Sequence, residues 1–220
     1  MKAETHRGVN AGDMAIDETK RRYPGIQRLP PVGAEGPLEG ILRRRRTTRA
    51  FSRRAVSLGE VGRLLWAAQG ITSPEGYRAA PSAGALYPLE VHLAAGRVTD
   101  LAAGVYRYDP AAGALRAAAL GDARGDVADA ALGQRWIADA PLVVILTGVY
   151  ARTNRKYGRR GVRYVHMEVG HAGENLLLQA VALGLAAAVV GAFDDERLRK
   201  RLGLPDGEHP LAILPVGYEG

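Results

Sequence analysis

A chain of 220 residues, 47% hydrophobic and 24% charged, suits one globular domain with an ordinary buried core. It has no cysteine, which excludes disulfides, thiolate metal sites, iron–sulfur clusters and cysteine nucleophiles. The net charge of +7 arises in residues 1–54, with 13 basic and 6 acidic side chains; residues 55–220 carry 17 of each, which argues against a broad basic face tracking a nucleic-acid backbone.

Residues 1–37 are polar and rich in Gly and Pro, with no sustained apolar period, so an extended or partly disordered arm is expected ahead of a domain over 38–220. The N-terminus lacks an apolar leader, and no segment approaches the roughly 20 apolar residues that span a bilayer. A soluble, cytoplasmic protein is therefore expected. From Leu38 a short helix enters RRRRTTRAF, and SLGEVGRLLWAAQGI follows. There Ser57 and Glu60 form a capping-box pair, and Val61, Leu64, Leu65 and Ala68 recur at helical spacing.

The loop SPEGYRAAPSAGALYP delivers a strand, LEVHLAAGRV, and VYRYDPAAGALRAAAL reads as a hairpin about an Asp-Pro and Gly turn. After an Ala-rich helical stretch, APLVVILTGVY has the continuous apolar character of a buried strand. Residues 163–183 carry the longest helical pattern and end at Gly184. LAAAVVGAF predicts a further buried strand, DDERLRKRLGLP a surface helix stopped by Gly203 and Pro205, and LAILPVGY the last strand. Helices and strands alternate, but the hairpin spoils a purely parallel sheet, so the class is α+β.

Two stretches are suited to a ligand. Arg45, Arg46, Thr47 and Arg49 could converge guanidinium forks and a hydroxyl on one phosphate, or form a solvated charge run. In PSAGALYP, Pro81 to Pro88, small residues leave main-chain N–H groups uncovered beside a strand, as a flat or phosphorylated ligand requires, though a tight loop looks the same.

Together they resemble the FMN-dependent nitroreductase superfamily, and within it the SagB-type dehydrogenases related to thiazole and oxazole synthases. The likeness runs from Leu29 to Gly217 through RRRRTTRAF, APSAGALYPLEVHL, GVYRYDP, KYGRRGVRYVHMEVGHAGENLLLQA, LGLAAAVVGAFDD and LPVG. It implies a central mixed or antiparallel sheet flanked by helices, a long central dimer-interface helix, and a homodimer with flavin sites between subunits.

The Arg-x-Ser-x-basic signature resembles Arg45 to Arg49, with Thr47 in the Ser position, and implies contacts to the FMN phosphate and ribityl chain. PSAGALYP resembles the loop along the isoalloxazine, which implies Pro81, Ser82, Ala83, Gly84 and Leu86 as flavin contacts. VVGAF resembles the segment facing flavin N5, which implies Val190 and Gly191. The family's further basic phosphate contact near the C-terminus has no counterpart in VGYEG, so the contact is expected to be absent or supplied by the arginine run.

Lys156 and Tyr157, in NRKYGRRGVRY, form a third constellation. An adjacent ammonium favours a phenolate, so the pair could be a general base, or an exposed pair on a basic loop. The likeness to azoline oxidases implies that the pair takes the substrate α-proton while hydride passes to the flavin. A fourth group, His166, Glu168, His171, Glu174 and Asn175, is unlike a metal site, because His166 and His171 stand about 140° apart around a helix. No metal is expected, and polar roles at the helix surface, dimer interface or flavin are preferred. The family often has Gln where Glu174 stands. No GxGxxG follows a strand, but NAD(P)H in such enzymes enters the flavin cleft itself, so a nicotinamide donor stays open. The expected activity is oxidation of a thiazoline- or oxazoline-like peptide. Its alternatives are an NAD(P)H-dependent nitro or quinone reductase of the same fold, and a nucleic-acid-binding or scaffold protein using the basic arm.

Overall fold

A computed structural model describes Gly33 and residues 36–220; apart from Gly33, Gly36 and Pro37, the expected arm lies outside the described residues. Helix α1 (Pro37–Arg44) leads to a two-residue strand β1 (Val56–Ser57) and helix α2 (Leu58–Gln69). The capping box forms as the sequence requires: Ser57 Oγ accepts from the Glu60 amide at 3.2 Å and Glu60 Oε2 from the Ser57 amide at 2.7 Å. Such a cap contributes about 1 kcal/mol.

Strands β2 (Leu89–Ala95), β4 (Gly104–Asp109), β5 (Ala114–Leu120), β6 (Leu142–Gly148), β7 (Ala186–Ala187) and β8 (His209–Gly217) form one sheet in the order β5-β4-β2-β6-β8-β7. Each neighbouring pair in it is antiparallel; β3 (Val98–Thr99) instead pairs in parallel with β1. The chain is therefore α+β, with an antiparallel rather than a mixed main sheet.

The continuous apolar run of β6 is explained by cover on both faces. Leu142, Val144 and Leu146 join a core with Leu64 and Leu65 of α2 and with Val165, Ala172 and Leu176 of the long helix α6 (Gly161–Ala182). Val143 and Ile145 point the other way, into a core with Val127 of α3 (Arg124–Ala130), Ile137 of α4 (Trp136–Asp139) and Leu198 of α7 (Asp195–Leu202). Strand β5, at the outer edge, is largely exposed along its length.

Two expectations change. LAAAVVGAF pairs with β8 only at Ala186–Ala187, then touches it again at the isolated Val190–Ile213 bridge. The reason is Pro215: the Ala188 amide donates to its carbonyl at 3.2 Å, but proline has no N–H to return the bond, so the ladder stops. The stretch before Gly158, for which a basic loop was one of two readings, is helix α5 (Tyr150–Tyr157). Among the described residues no helix is long and apolar enough to cross a membrane.

Candidate functional site: two clusters of predicted residues

The arginine signature follows α1 directly, the Arg45 amide donating to the Ile41 carbonyl at 2.9 Å. Thr47 then forms a parallel bridge with Ala187, and the Thr48 amide donates to the Ala187 carbonyl at 3.1 Å. Three residues further on, Val190 exchanges two main-chain bonds with Ile213, at 2.8 and 3.0 Å. The β7 edge thus gathers Arg45 to Arg49 with Val190 and Gly191.

The side chains in this half are not alike. Arg45 Nε lies 3.9 Å from Glu174 Oε1 on α6, Arg49 sits over the Trp136 ring at 5.7 Å, and Arg46 curls back onto the Arg43 and Arg45 carbonyls. Arg45 is held by a carboxylate that competes with any phosphate there.

The second half is built on the Pro81–Leu86 loop. Ala83–Ala85 form a single 3-10 turn after Ser82, whose hydroxyl accepts from the Tyr87 amide at 2.9 Å. Gly84 adopts φ +64°, and Ala85 and Tyr87 also take positive φ, a strained conformation for residues with a Cβ. The structure closes this loop directly on the Lys-Tyr pair. A Cβ added at Gly84 would lie 2.7 Å from the Tyr157 hydroxyl oxygen and 2.9 Å from Lys156 Nζ.

Several anchors hold the pair there. Lys156 and Tyr157 are the last residues of α5, ended by Gly158 at φ 56°, ψ −144°, a conformation open essentially to glycine. Arg152, one turn before Lys156, donates from Nη1 to the Tyr87 carbonyl at 3.0 Å and pairs through Nη2 with Glu90 of β2. The Tyr157 ring meets Tyr164 edge-on, with centroids 5.0 Å apart.

Behind the loop lies Glu168 of α6, buried at 2% exposure. Burial pushes its carboxyl up to about 7, against the opposing pull of Ser82, Gln69 and Arg78. Its Oε1 has no hydrogen-bond partner, nor has Nε2 of Gln69, whose Oε1 accepts from Arg78 at 2.8 Å. On the far face of the sheet a buried brace joins His92 to Glu208 at 2.7 Å, with Thr147 donating to the same carboxylate oxygen at 3.0 Å. Burial works against ionisation of Glu208, but His92, Thr147 and Arg107 hold its carboxyl below the ordinary value. Arg107 continues the brace to Glu90 at 2.8 Å.

Sequence reasoning missed the roles of Arg152, Gln69 and Arg78, and left Glu168 unassigned among helix polar groups. Glu168 carries a readable signal, since it sits on the buried stripe Val165, Ala172, Leu176 at helical spacing. Arg152 carries none, because its partners are distant in sequence. Among the described residues no hydrogen bond or ion pair joins the arginine half to the Gly84 half.

An antiparallel sheet flanked by helices carries an arginine and threonine signature docked on its edge and a glycine-containing loop facing a Lys-Tyr pair. The chain belongs to the nitroreductase family, whose pattern matches residues 42–218. It is 42% identical over 189 residues to a Methanocaldococcus jannaschii protein described as a nitroreductase, covering 86% of this chain and 94% of that one. A Ralstonia eutropha crystal structure, also described as a nitroreductase, superposes with TM-score 0.74 at 27% identity over 88% of both chains. A chain of the E. coli microcin synthetase McbBCD complex, solved with truncated pro-MccB17 bound, matches with TM-score 0.69 at 22% identity over 99% of this chain and 85% of that one. At that identity the likeness is one of fold.

Proposed function

We propose that the protein is an FMN-dependent dehydrogenase of SagB type that oxidises a thiazoline- or oxazoline-like ring in a peptide to the aromatic azole. The observation that carries this reading is the approach of Lys156 and Tyr157 to the bare main chain of Gly84. A simple electron relay through a flavin needs no base at that point, whereas removing a proton from a ring carbon does.

The residues present fit FMN. Arg45, Thr47 and Arg49 offer charge-assisted donors for its phosphate, Val190 and Gly191 lie on the same edge, and Gly84 brings the Lys156 and Tyr157 head groups against the Pro81–Leu86 loop. When bound, FMN supplies a two-electron hydride acceptor that oxygen can regenerate. The protein's part is to bind the phosphate, orient the substrate ring against the Pro81–Leu86 loop, and take the α-proton at the Lys156–Tyr157 pair. The second hydrogen leaves as hydride, which balances the two-electron oxidation.

A homodimer accompanies this reading. Leu38, Leu42 and Trp66 are exposed at 55, 49 and 49%, and Ile41, Trp66 and Leu178 line an apolar groove among α1, α2 and α6. A patch of this kind suits a second copy.

The Lys-Tyr pair at Gly84 favours the peptide reading over an NAD(P)H-dependent nitro or quinone reductase, which needs the flavin but not that pair. The test is the visible spectrum of the purified protein, then anaerobic NADH or NADPH, then turnover of an azoline-containing peptide by wild type and Tyr157→Phe. Flavin bands, azole formation and its loss in Tyr157→Phe are expected. Rapid bleaching by a nicotinamide, with no azoline oxidation and no effect of Tyr157→Phe, would replace the proposal with the reductase.

A further inference from the structure

From Ala140 to Met167 the chain has no carboxylate, yet it carries Arg152, Arg155, Lys156, Arg159, Arg160 and Arg163, followed by His166. Glu90 neutralises Arg152. The other five cations are exposed and, among the described residues, form no ion pair. Like charges crowded within two helical turns repel one another, and residues 55–220 are otherwise balanced. A solvated helix face normally intersperses acids, and none stands here.

The cations are gathered rather than scattered. Arg159, Arg160, Arg163 and His166 line an open cavity of about 740 Å³ with Val162 and Met167 as its apolar surface. Its wall connects to the catalytic pair, because Arg160 Nε donates to the Tyr164 hydroxyl at 3.1 Å and Tyr164 packs on Tyr157. On the other side, Tyr150 and His166 share a hydrogen bond of 2.6 Å.

We propose that this cavity docks an acidic segment of the peptide substrate, next to the ring that Lys156 and Tyr157 act on. The inference rests on the reading given under Proposed function and adds the substrate's chemistry to it. Guanidinium forks pair with carboxylates two bonds at a time, while Val162 and Met167 offer contact for apolar side chains between them. The lining holds no carboxylate to receive a ribose hydroxyl, as nucleotide sites commonly do. An open trough with spread cations suits a chain that passes through.

The experiment uses the full chain loaded with FMN and follows fluorescence anisotropy of short fluorescein-labelled peptides: oligoglutamate, oligolysine and a neutral Gly-Ser peptide. Oligoglutamate alone is expected to bind, more weakly as salt rises. Arg159→Glu with Arg163→Glu should weaken it by more than about tenfold. Arg197→Glu, on α7, should not. Should the charge reversal unfold the protein, Arg159→Gln with Arg163→Gln gives the same comparison. Tyr157→Phe should keep the affinity, so a failure of docking and a failure of the proposed chemistry read out separately. The proposal is overturned if oligoglutamate binds no better than the Gly-Ser peptide, or if the paired substitutions leave its affinity unchanged. It is equally overturned if NADPH displaces the peptide and is itself weakened by those substitutions, which would make the cavity a phosphate site.

Discussion

Gly84 and Tyr157 meet so closely that a single added carbon on the glycine would stand 2.7 Å from the tyrosine oxygen. Gly84→Ala must push Tyr157 and Lys156 away and place a Cβ at φ +64°, where an L residue costs about 1–2 kcal/mol. We expect turnover to fall while FMN stays bound through the arginine half. Paired measurements of kcat and of flavin occupancy check this.

Arg152 ties the pair to the rest of the molecule. Arg152→Ala removes the bond to the Tyr87 carbonyl and leaves Glu90 with Arg107 alone. Because Arg152 is about one-third exposed, the stability loss should be modest, about 1–2 kcal/mol. The loss of kcat should be larger than the fall in Tm suggests, and Arg152→Lys should recover part of it. Denaturation midpoints set beside kcat for the three proteins make the comparison.

A phosphate held at Arg45 would have a competitor in the chain. Glu174 lies 3.9 Å from Arg45, and Glu174→Gln removes that negative charge. FMN should be retained more tightly, most clearly at low ionic strength. Arg45→Ala with Arg49→Ala should act in the opposite sense, each lost charge-assisted bond weakening retention by about 1.5–3 kcal/mol. Fluorescence titration of the flavin-stripped protein reads both, and unchanged affinities would remove these residues from the phosphate site.

Glu168 gives the protein a pH dependence of definite sign. Its carboxyl titrates at about 7 in the fold, against 4.5 ordinarily. Stability is unaffected below pH 4.5, where both states hold the proton, and it falls as pH rises toward 7, where the unfolded chain alone ionises. The loss amounts to about 3 kcal/mol once pH exceeds 7. Glu168→Gln should abolish this slope and be the more stable protein at pH 8. Urea midpoints for both proteins between pH 5 and pH 8 decide the matter.

Where local chemistry dominates, the fold was readable. The Ser57–Glu60 cap, the two-sided burial of β6 and the buried stripe of α6 each follow from short-range pattern. Helix α5 was not, because YARTNRKY has no apolar stripe; contacts of Arg152 with residues more than sixty positions away hold it, and Gly158 ends it. The shortness of β7 was hidden for a similar reason, since Pro215, which stops the ladder, belongs to another strand. For the candidate site, residue types alone left both the Pro81–Leu86 loop and Lys156 and Tyr157 open to a bland reading; the family resemblance singled them out, and only the fold places one against the other.

The two halves of the candidate site hang from parts of the sheet that differ in how readily they open. Arg152 fastens the Lys-Tyr pair to β2, an interior strand between β4 and β6, whose amides should exchange with solvent only when the whole domain unfolds. Thr47 leans instead on β7, a two-residue edge held by one neighbour. A brief fraying of that edge would loosen the arginine run and leave the contact of Lys156 and Tyr157 with Gly84 standing, so a ligand held by the arginines should exchange on a faster clock than unfolding.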